Sequence, residues 1–428
     1  MTHVHIIGGG LAGLSAAVDV IGRAGVTVYE AGPACGGRAR SYYDKALDAR
    51  IDNGNHLLLS ANKASFRYLG LIGAEKTLTG PGEPVFPWFD LSANLGWTLK
   101  LSRGRVPFWA FSKGRRVPGM KLRELGMLTR LLKAGPDDTV SMFLGDGMLT
   151  TRLLEPFAIS ALNTPLDTAS ATLLAAIIRE TLALGGTACC PWYPSEGLSE
   201  SFVDPAVAHL RRLQGEVRCG ARISGLEVRD GRVSALKLGQ ETIVLGPEDS
   251  VVFAAPSPVA RNLLAEHLPD FTAPDAYESI INVHYRLPAP VTARGMLGRT
   301  GFVGLVGGVA EWVYLKGEIL SVTVSAANRY AARDNDELIA TIWSEIRQAV
   351  GPVLVEALPE AIPPVRLVCE KRATFAATPA QDRLRPQACT ALSNLALAGD
   401  WTQTGFPSTI EGAIGSGTEA IRALGLSH

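Results

Sequence analysis

The chain has 428 residues, enough for two or three intertwined domains, and its 47% hydrophobic content can fill a large core. Lysine plus arginine balances aspartate plus glutamate at 41 each, so composition gives no reason to expect nucleic-acid binding. Six scattered cysteines form no CxxC pair and no Cys/His group with zinc spacing, which points to reduced thiols and no metal.

The first strand begins near Val4 with no basic stretch before it, which predicts no signal peptide. No apolar run reaches ~18 residues, so no membrane span is expected. "HVHIIGGGLAGLSAAVDVIGRAGVTVYEA", residues 3–31, reads as strand, glycine turn, helix and second strand. Gly8, Gly10 and Gly13 form G-x-G-x-x-G. Gly8 permits the tight turn, Gly10 lets backbone approach a pyrophosphate, and Gly13 allows close helix–strand packing. The helix then points free N–H groups and its positive dipole end at the phosphates. Glu30, at the tip of the second strand, suits two ribose hydroxyls and disfavours a 2'-phosphate, hence NADP. This unit predicts a dinucleotide site without separating NAD from FAD.

Residues 1–85 read as the first part of the nucleotide-binding domain, ending beyond "EAGPACGGRARSY" and "DNGNH". Residues 86–199 are expected to be helix-rich. Within them, residues 100–133 hold ten Lys/Arg against only Glu124, interleaved with Val106, Phe108, Trp109, Phe111 and Met120. That bias predicts contact with an anionic membrane surface, basic residues holding headgroups and apolar ones inserting shallowly. Short β runs at 200–260 predict a second part of the nucleotide domain. Residues 261–384 mix strands ("SIINVHYRL", "AEWVYLKGEILSVTVSAA") with a helix from Asp336 to Val350, and form a substrate domain with 86–199. Residues 385–428 return to the nucleotide domain, where "LALAGDWTQTGFPSTIEGAIGSGTEA" gives a strand ending at Gly399-Asp400 and then a second helix.

Together these pieces resemble the flavin-binding signature of the amine oxidase and phytoene desaturase superfamily, bracketing residues 3–420. The resemblance implies an α/β chain: a discontinuous Rossmann-type FAD-binding domain with an inserted α+β substrate domain that includes a helical membrane-facing part. It implies that Gly8, Gly10, Leu11, Ala12 and Gly13 hold the pyrophosphate and that Glu30 and Ala31 meet the adenosine ribose. Gly37, Arg38 and Ala39 would approach phosphate, and Asn53 together with the run Gly54, Asn55 and His56 the isoalloxazine. Ile223 would lie near the adenine, Gly399 and Asp400 near the ribityl–pyrophosphate junction, and Thr409, Ile410 and Ala413 along the pyrimidine end.

Stretches outside that signature resemble one branch, the hydroxysqualene dehydroxylases of bacterial hopanoid synthesis: "DNGNHLLLSA", "ALNTPLDTASATLL", "AEWVYLKGEILSVTVSAA", "EKRATFAATPAQ" and "LAGDWTQTGFPSTIEGAIGSG". Two departures stand out: "RLLEPF" at 152–157 lacks an expected tryptophan before Glu-Pro, and Asn55 replaces an expected glutamine. The implied reaction is reductive: hydride from reduced flavin N5 replaces the allylic hydroxyl of hydroxysqualene, giving squalene. A leaving hydroxide needs a general acid. His56 is the first candidate, Asp52 its rival, and Arg372 could orient the hydroxyl. Trp192, Tyr193, Trp312 and Tyr314 could steady an allylic cation with their ring faces. With no second GxGxxG beside an acid, the electron donor is expected to be a separate, unidentified partner. The expected location is the cytoplasm, peripherally on the inner membrane face. Rival readings are a phytoene-type desaturase, an amine oxidase using Lys316 or Lys371, and a non-catalytic isoprenoid carrier.

Overall fold

The computed structural model describes residues 2–426. Strand β1 (His3–Ile7) runs into helix α1 (Leu11–Val20) and returns as strand β2 (Gly25–Glu30). β1 lies at the centre of a five-stranded parallel sheet. β2 and Glu216–Cys219 extend it on one side, Ser250–Phe253 and Leu395–Leu397 on the other. Three distant parts of the chain therefore build one sheet. The strands are short apolar runs because helices cover the sheet; Val4, Ile6, Val28, Val252 and Ala396 are all buried. Helix Ile410–Ala423 packs directly on α1: a Cβ on Gly417 would fall 2.3 Å from the Ala12 carbonyl oxygen, and Ser15 Oγ donates to the Ile414 carbonyl at 2.8 Å. The C-terminal helix is thus locked beside the glycine loop.

The substrate half is a seven-stranded sheet in the order Val365–Phe375, Tyr277–Arg286, Ile319–Val324, Trp312–Lys316, Phe302–Val306, Val85–Asp90, Leu95–Lys100. Alternation sends Val283, Val313 and Val322 into one core with helix Asn335–Ala349, packed through Ile342, Trp343 and Ile346. The opposite face carries Asn282, His284, Trp312, Tyr314, Ser321 and Thr323.

The segment expected to be helix-rich opens instead with a hairpin. Val85–Asp90 pairs antiparallel with Leu95–Lys100, and Asn94 supplies the left-handed turn residue at φ 47°. Its aromatic and β-branched content favours a pleated, half-buried strand, and Trp88 and Leu99 are both buried. Helices follow only later, at Gly126–Leu131, Glu155–Leu162 and Ala171–Glu180. In the basic segment, Phe108 and Phe111 are each 66% exposed and Val106 54%, whereas Trp109 and Met120 are buried in a core with Trp88 and Leu153. Those two are therefore not available for insertion into a membrane.

Candidate active site

The glycine loop is shaped by backbone contacts. Gly8 sits at φ +113°, and a Cβ there would meet the Ala254 carbonyl oxygen at 2.7 Å; one on Gly13 would lie 1.9 Å from the Gly8 carbonyl oxygen. Gly10 is different: a Cβ would meet nothing within 4 Å. It opens onto the cavity at the start of α1, whose N-terminus has no side-chain cap and no acid in its first turn. Free donors, a positive dipole end and open space over a glycine fit a pyrophosphate. Glu30 accepts hydrogen bonds from the N–H of Gly9 at 2.8 Å and of Gly32 at 2.6 Å, which fixes the carboxylate at the rim. Each oxygen keeps a second acceptor position for a ribose hydroxyl.

One continuous cavity of about 830 Å³ starts at this loop and runs into the substrate half. Gly8, Gly10, Leu11, Ala12, Glu30, Ala31, Gly37, Arg38, Ala39 and Ile223 line its first stretch. His56, Gly399, Asp400, Thr409, Ile410 and Ala413 line the middle, with Arg372 exposed at its edge. Beyond His56 the wall turns apolar and aromatic through Phe86, Leu101, Leu153, Phe157, Trp312 and Tyr314. A long molecule with a polar nucleotide half and a flat aromatic ring fits the first two stretches; the third offers an apolar chamber beside that ring.

Arg38 ties the middle together. It donates to Asp400 Oδ1 and to the Ala373 carbonyl, both at 2.6 Å. Burial raises the Asp400 carboxyl, but the Arg38 charge and hydrogen bond outweigh it and hold the group below the usual carboxylate range. Asp400 therefore favours its ionised form on the cavity wall, where it can accept from a ligand hydroxyl. Thr409 caps helix Ile410–Ala423, its side chain accepting from Gly412 N–H at 3.0 Å. The His56 imidazole is lowered to about 4, chiefly by burial and further by the Lys316 and Arg38 charges, with Asp52 opposing. At neutral pH it is uncharged.

Several expected residues do not line the cavity. Gly13 packs behind the loop, and Asn53 and Gly54 lie beneath it, the Asn53 carbonyl accepting from Asn282 Nδ2 at 3.1 Å. The Asp52 carboxylate accepts from Ser41 Oγ at 2.6 Å, Leu198 N–H at 2.9 Å and Lys316 Nζ at 2.7 Å. It joins three segments and has no free face toward a substrate. Trp192 and Tyr193 belong to a short strand held between Leu58–Leu59 and Leu78–Thr79. That pairing turns Trp192 toward Ser60, its Nε1 donating at 3.0 Å, and Tyr193 into a cluster with Phe302 and Tyr314. Neither lines the cavity, nor do Lys316 and Lys371. Sequence reasoning passed over Asn163, Tyr277, Glu370 and Trp401, all on the wall. Asn163, Tyr277 and Glu370 lie outside the glycine-rich signatures, and Trp401, although next to Asp400, is oriented by a distant contact, its Nε1 donating to the Ala255 carbonyl at 3.1 Å.

Residues 11–424 match the flavin containing amine oxidoreductase family, and the chain belongs to it. It is an FAD-dependent oxidoreductase, in keeping with the donor set just described. Within that class its similarity is to particular enzymes. A hydroxysqualene dehydroxylase of Zymomonas mobilis is 42% identical over 100% of both chains. Another of Sinorhizobium fredii is 41% identical over 98% of this chain and 97% of its own length. Among solved structures, the cyclohexylamine oxidase of Brevibacterium oxydans superimposes with a TM-score of 0.67 over 99% of this chain and 98% of that one. At 17% identity that likeness shows the fold alone.

Proposed function

We propose that the protein reductively dehydroxylates hydroxysqualene to squalene. The observation that carries this reading is the single cavity that joins the glycine loop, His56 and an aromatic–apolar chamber, with Lys316 and Lys371 both outside it. When bound and reduced, FAD supplies the hydride that replaces the hydroxyl, and an external electron donor restores it.

The chain's own residues have three tasks. The apolar wall accepts an isoprenoid chain and excludes water from the carbon that loses oxygen. Trp312, anchored by Nε1–H to Ser160 Oγ at 2.7 Å, and Tyr314 present ring electrons toward positive charge developing on the allylic carbons. His56 delivers a proton to the departing oxygen, so that the C–O bond breaks with release of water rather than hydroxide. Because burial holds the imidazole at about 4, the proton is carried by the small fraction of His56 that takes one up from solvent, and that fraction grows as pH falls.

The mouth fits a lipid-borne substrate. Leu182 lines the apolar end of the cavity, and the segment just after it is stitched to the basic loop, with Gly186 N–H donating to the Ser102 carbonyl at 2.8 Å. That loop presents Arg103 and Arg105 beside the exposed Val106 and Phe108. Among the described residues no helix is long and apolar enough to cross a membrane. Docking on an anionic leaflet through this loop lets the substrate enter from the bilayer. The double change Phe108→Ser and Phe111→Ser abolishes co-sedimentation with anionic vesicles if this is right; unchanged binding would remove the membrane step. The reaction itself is tested by incubating reduced holoprotein with hydroxysqualene and analysing the lipids. Squalene is expected; unchanged alcohol, or a more unsaturated product, would overturn the proposal.

A further inference from the structure

Beneath the cavity lies a polar network that the mechanism above does not use. Asn282 Nδ2 donates to the Asn53 backbone carbonyl at 3.1 Å. A carbonyl only accepts, so this contact fixes which end of the Asn282 amide is nitrogen. Asn282 Oδ1 therefore faces Thr323 and receives its hydroxyl proton, at 2.8 Å. Having spent that proton, Thr323 Oγ1 can only accept from Asn55, 3.1 Å away. The Asn55 atom on that side must be Nδ2, and its second hydrogen goes to Ser321 Oγ at 2.7 Å. Ser321 is in turn paired with His284 Nδ1 at 2.8 Å.

This chain of donors and acceptors leaves one atom over. Asn55 Oδ1 is buried and has no hydrogen-bond partner, yet Asn55 lines the cavity next to His56. A buried acceptor left unpaired is costly, so such an atom marks a place where a ligand donor belongs. Strand register says which ligand. Ser321 pairs with Tyr314 and Thr323 with Trp312, so the hydroxyls that hold Asn55 sit on the same sheet face as the two aromatic rings of the chamber. Asn55 is fixed from the substrate sheet, not from the glycine loop.

We propose that Asn55 is the specificity residue for the alcohol: its side-chain oxygen accepts the O–H of the bound isoprenoid and places the C–O bond beside His56. The inference rests on the dehydroxylation reading. It adds that the enzyme distinguishes substrate from product through this one bond. Once water has left, the hydrocarbon offers no donor, the Asn55 oxygen is unpaired again, and the product is held less tightly than the substrate.

The test uses oxidised holoprotein, in which no turnover occurs, titrated with hydroxysqualene and with squalene in detergent micelles while the flavin spectrum is followed. Wild type should bind the alcohol more tightly than the hydrocarbon. Asn55→Ala should lose about tenfold in affinity for the alcohol and nothing for squalene, with FAD affinity unchanged. Thr323→Val leaves Asn55 in place but frees its amide to rotate, and should lose part of the same preference; it decides the matter if Asn55→Ala does not fold. Equal loss of both ligands, or a loss confined to FAD affinity, would overturn the proposal. Wild type binding both isoprenoids equally would overturn it while sparing the functional reading. Binding neither would bring down both.

Discussion

Two glycines three residues apart should fail in opposite ways. Gly10 has extended backbone, φ −73° and ψ 178°, which any residue adopts, and a Cβ there meets nothing within 4 Å. Gly10→Ala should therefore leave the apoprotein's melting temperature nearly unchanged, since the modest cost at a helix N-cap is offset by a less flexible unfolded chain. The added methyl projects into the space over the uncapped N-terminus of α1. It holds a phosphate away from the N–H groups and weakens charge-assisted hydrogen bonds worth about 1.5–3 kcal/mol, or about 10- to 100-fold in the Kd for FAD. Gly13→Ala places its Cβ 1.9 Å from the Gly8 carbonyl oxygen and 3.2 Å from Ile6 Cγ2. Only a shift of α1 away from β1 relieves that, and forced repacking of this kind costs about 1–3 kcal/mol or more. The assays are fluorescence titration of apoprotein with FAD and thermal melts of the apoproteins. If Gly10→Ala binds FAD within twofold of wild type, or if apo Gly13→Ala melts with wild type, the account of the loop is wrong.

Stability should fall on mild acidification, because burial holds His5 and His284 at about 4. The unfolded chain takes up these protons first, so stability is full above about pH 6.5 and declines toward pH 4, by about 3 kcal/mol per histidine when complete. A melting temperature that is flat from pH 7 to pH 5 would contradict it. Asp52→Asn strands Lys316 in a half-buried site and should cost about 3–5 kcal/mol in denaturant unfolding; adding Lys316→Met should recover much of that loss. For turnover, His56 must carry the proton, so kcat/KM should fall as pH rises, approaching tenfold per unit above its midpoint. His56→Asn should flatten that profile and lower the rate by about 100-fold or more; an unchanged profile in the variant removes His56 as the acid.

The dinucleotide half was legible because its chemistry is local. Thirty consecutive residues carry the turn glycines, the helix start and Glu30, and each has a fixed place in one β-α-β unit. Asp400 and Thr409 were readable for the same reason, at a strand end and a helix start. The substrate half was not, because its geometry depends on pairings far apart in the chain. Asp52 was a rival to His56 as the acid on sequence alone, and the cap that Lys316 places on it comes from 264 residues away. Trp192 and Tyr193 had the right chemistry, but their strand partners turn them elsewhere. Counting charges in residues 100–133 found the basic loop yet could not show that Trp109 and Met120 point inward while Phe108 and Phe111 point out.

The central claim, reductive removal of a hydroxyl at the junction of the flavin site and the aromatic chamber, is tested most directly by a single anaerobic turnover. The holoprotein is reduced to the endpoint with dithionite, and hydroxysqualene is added. The account predicts return of the oxidised flavin band with one squalene formed per flavin. A flavin that stays reduced, with the alcohol recovered intact, would contradict it.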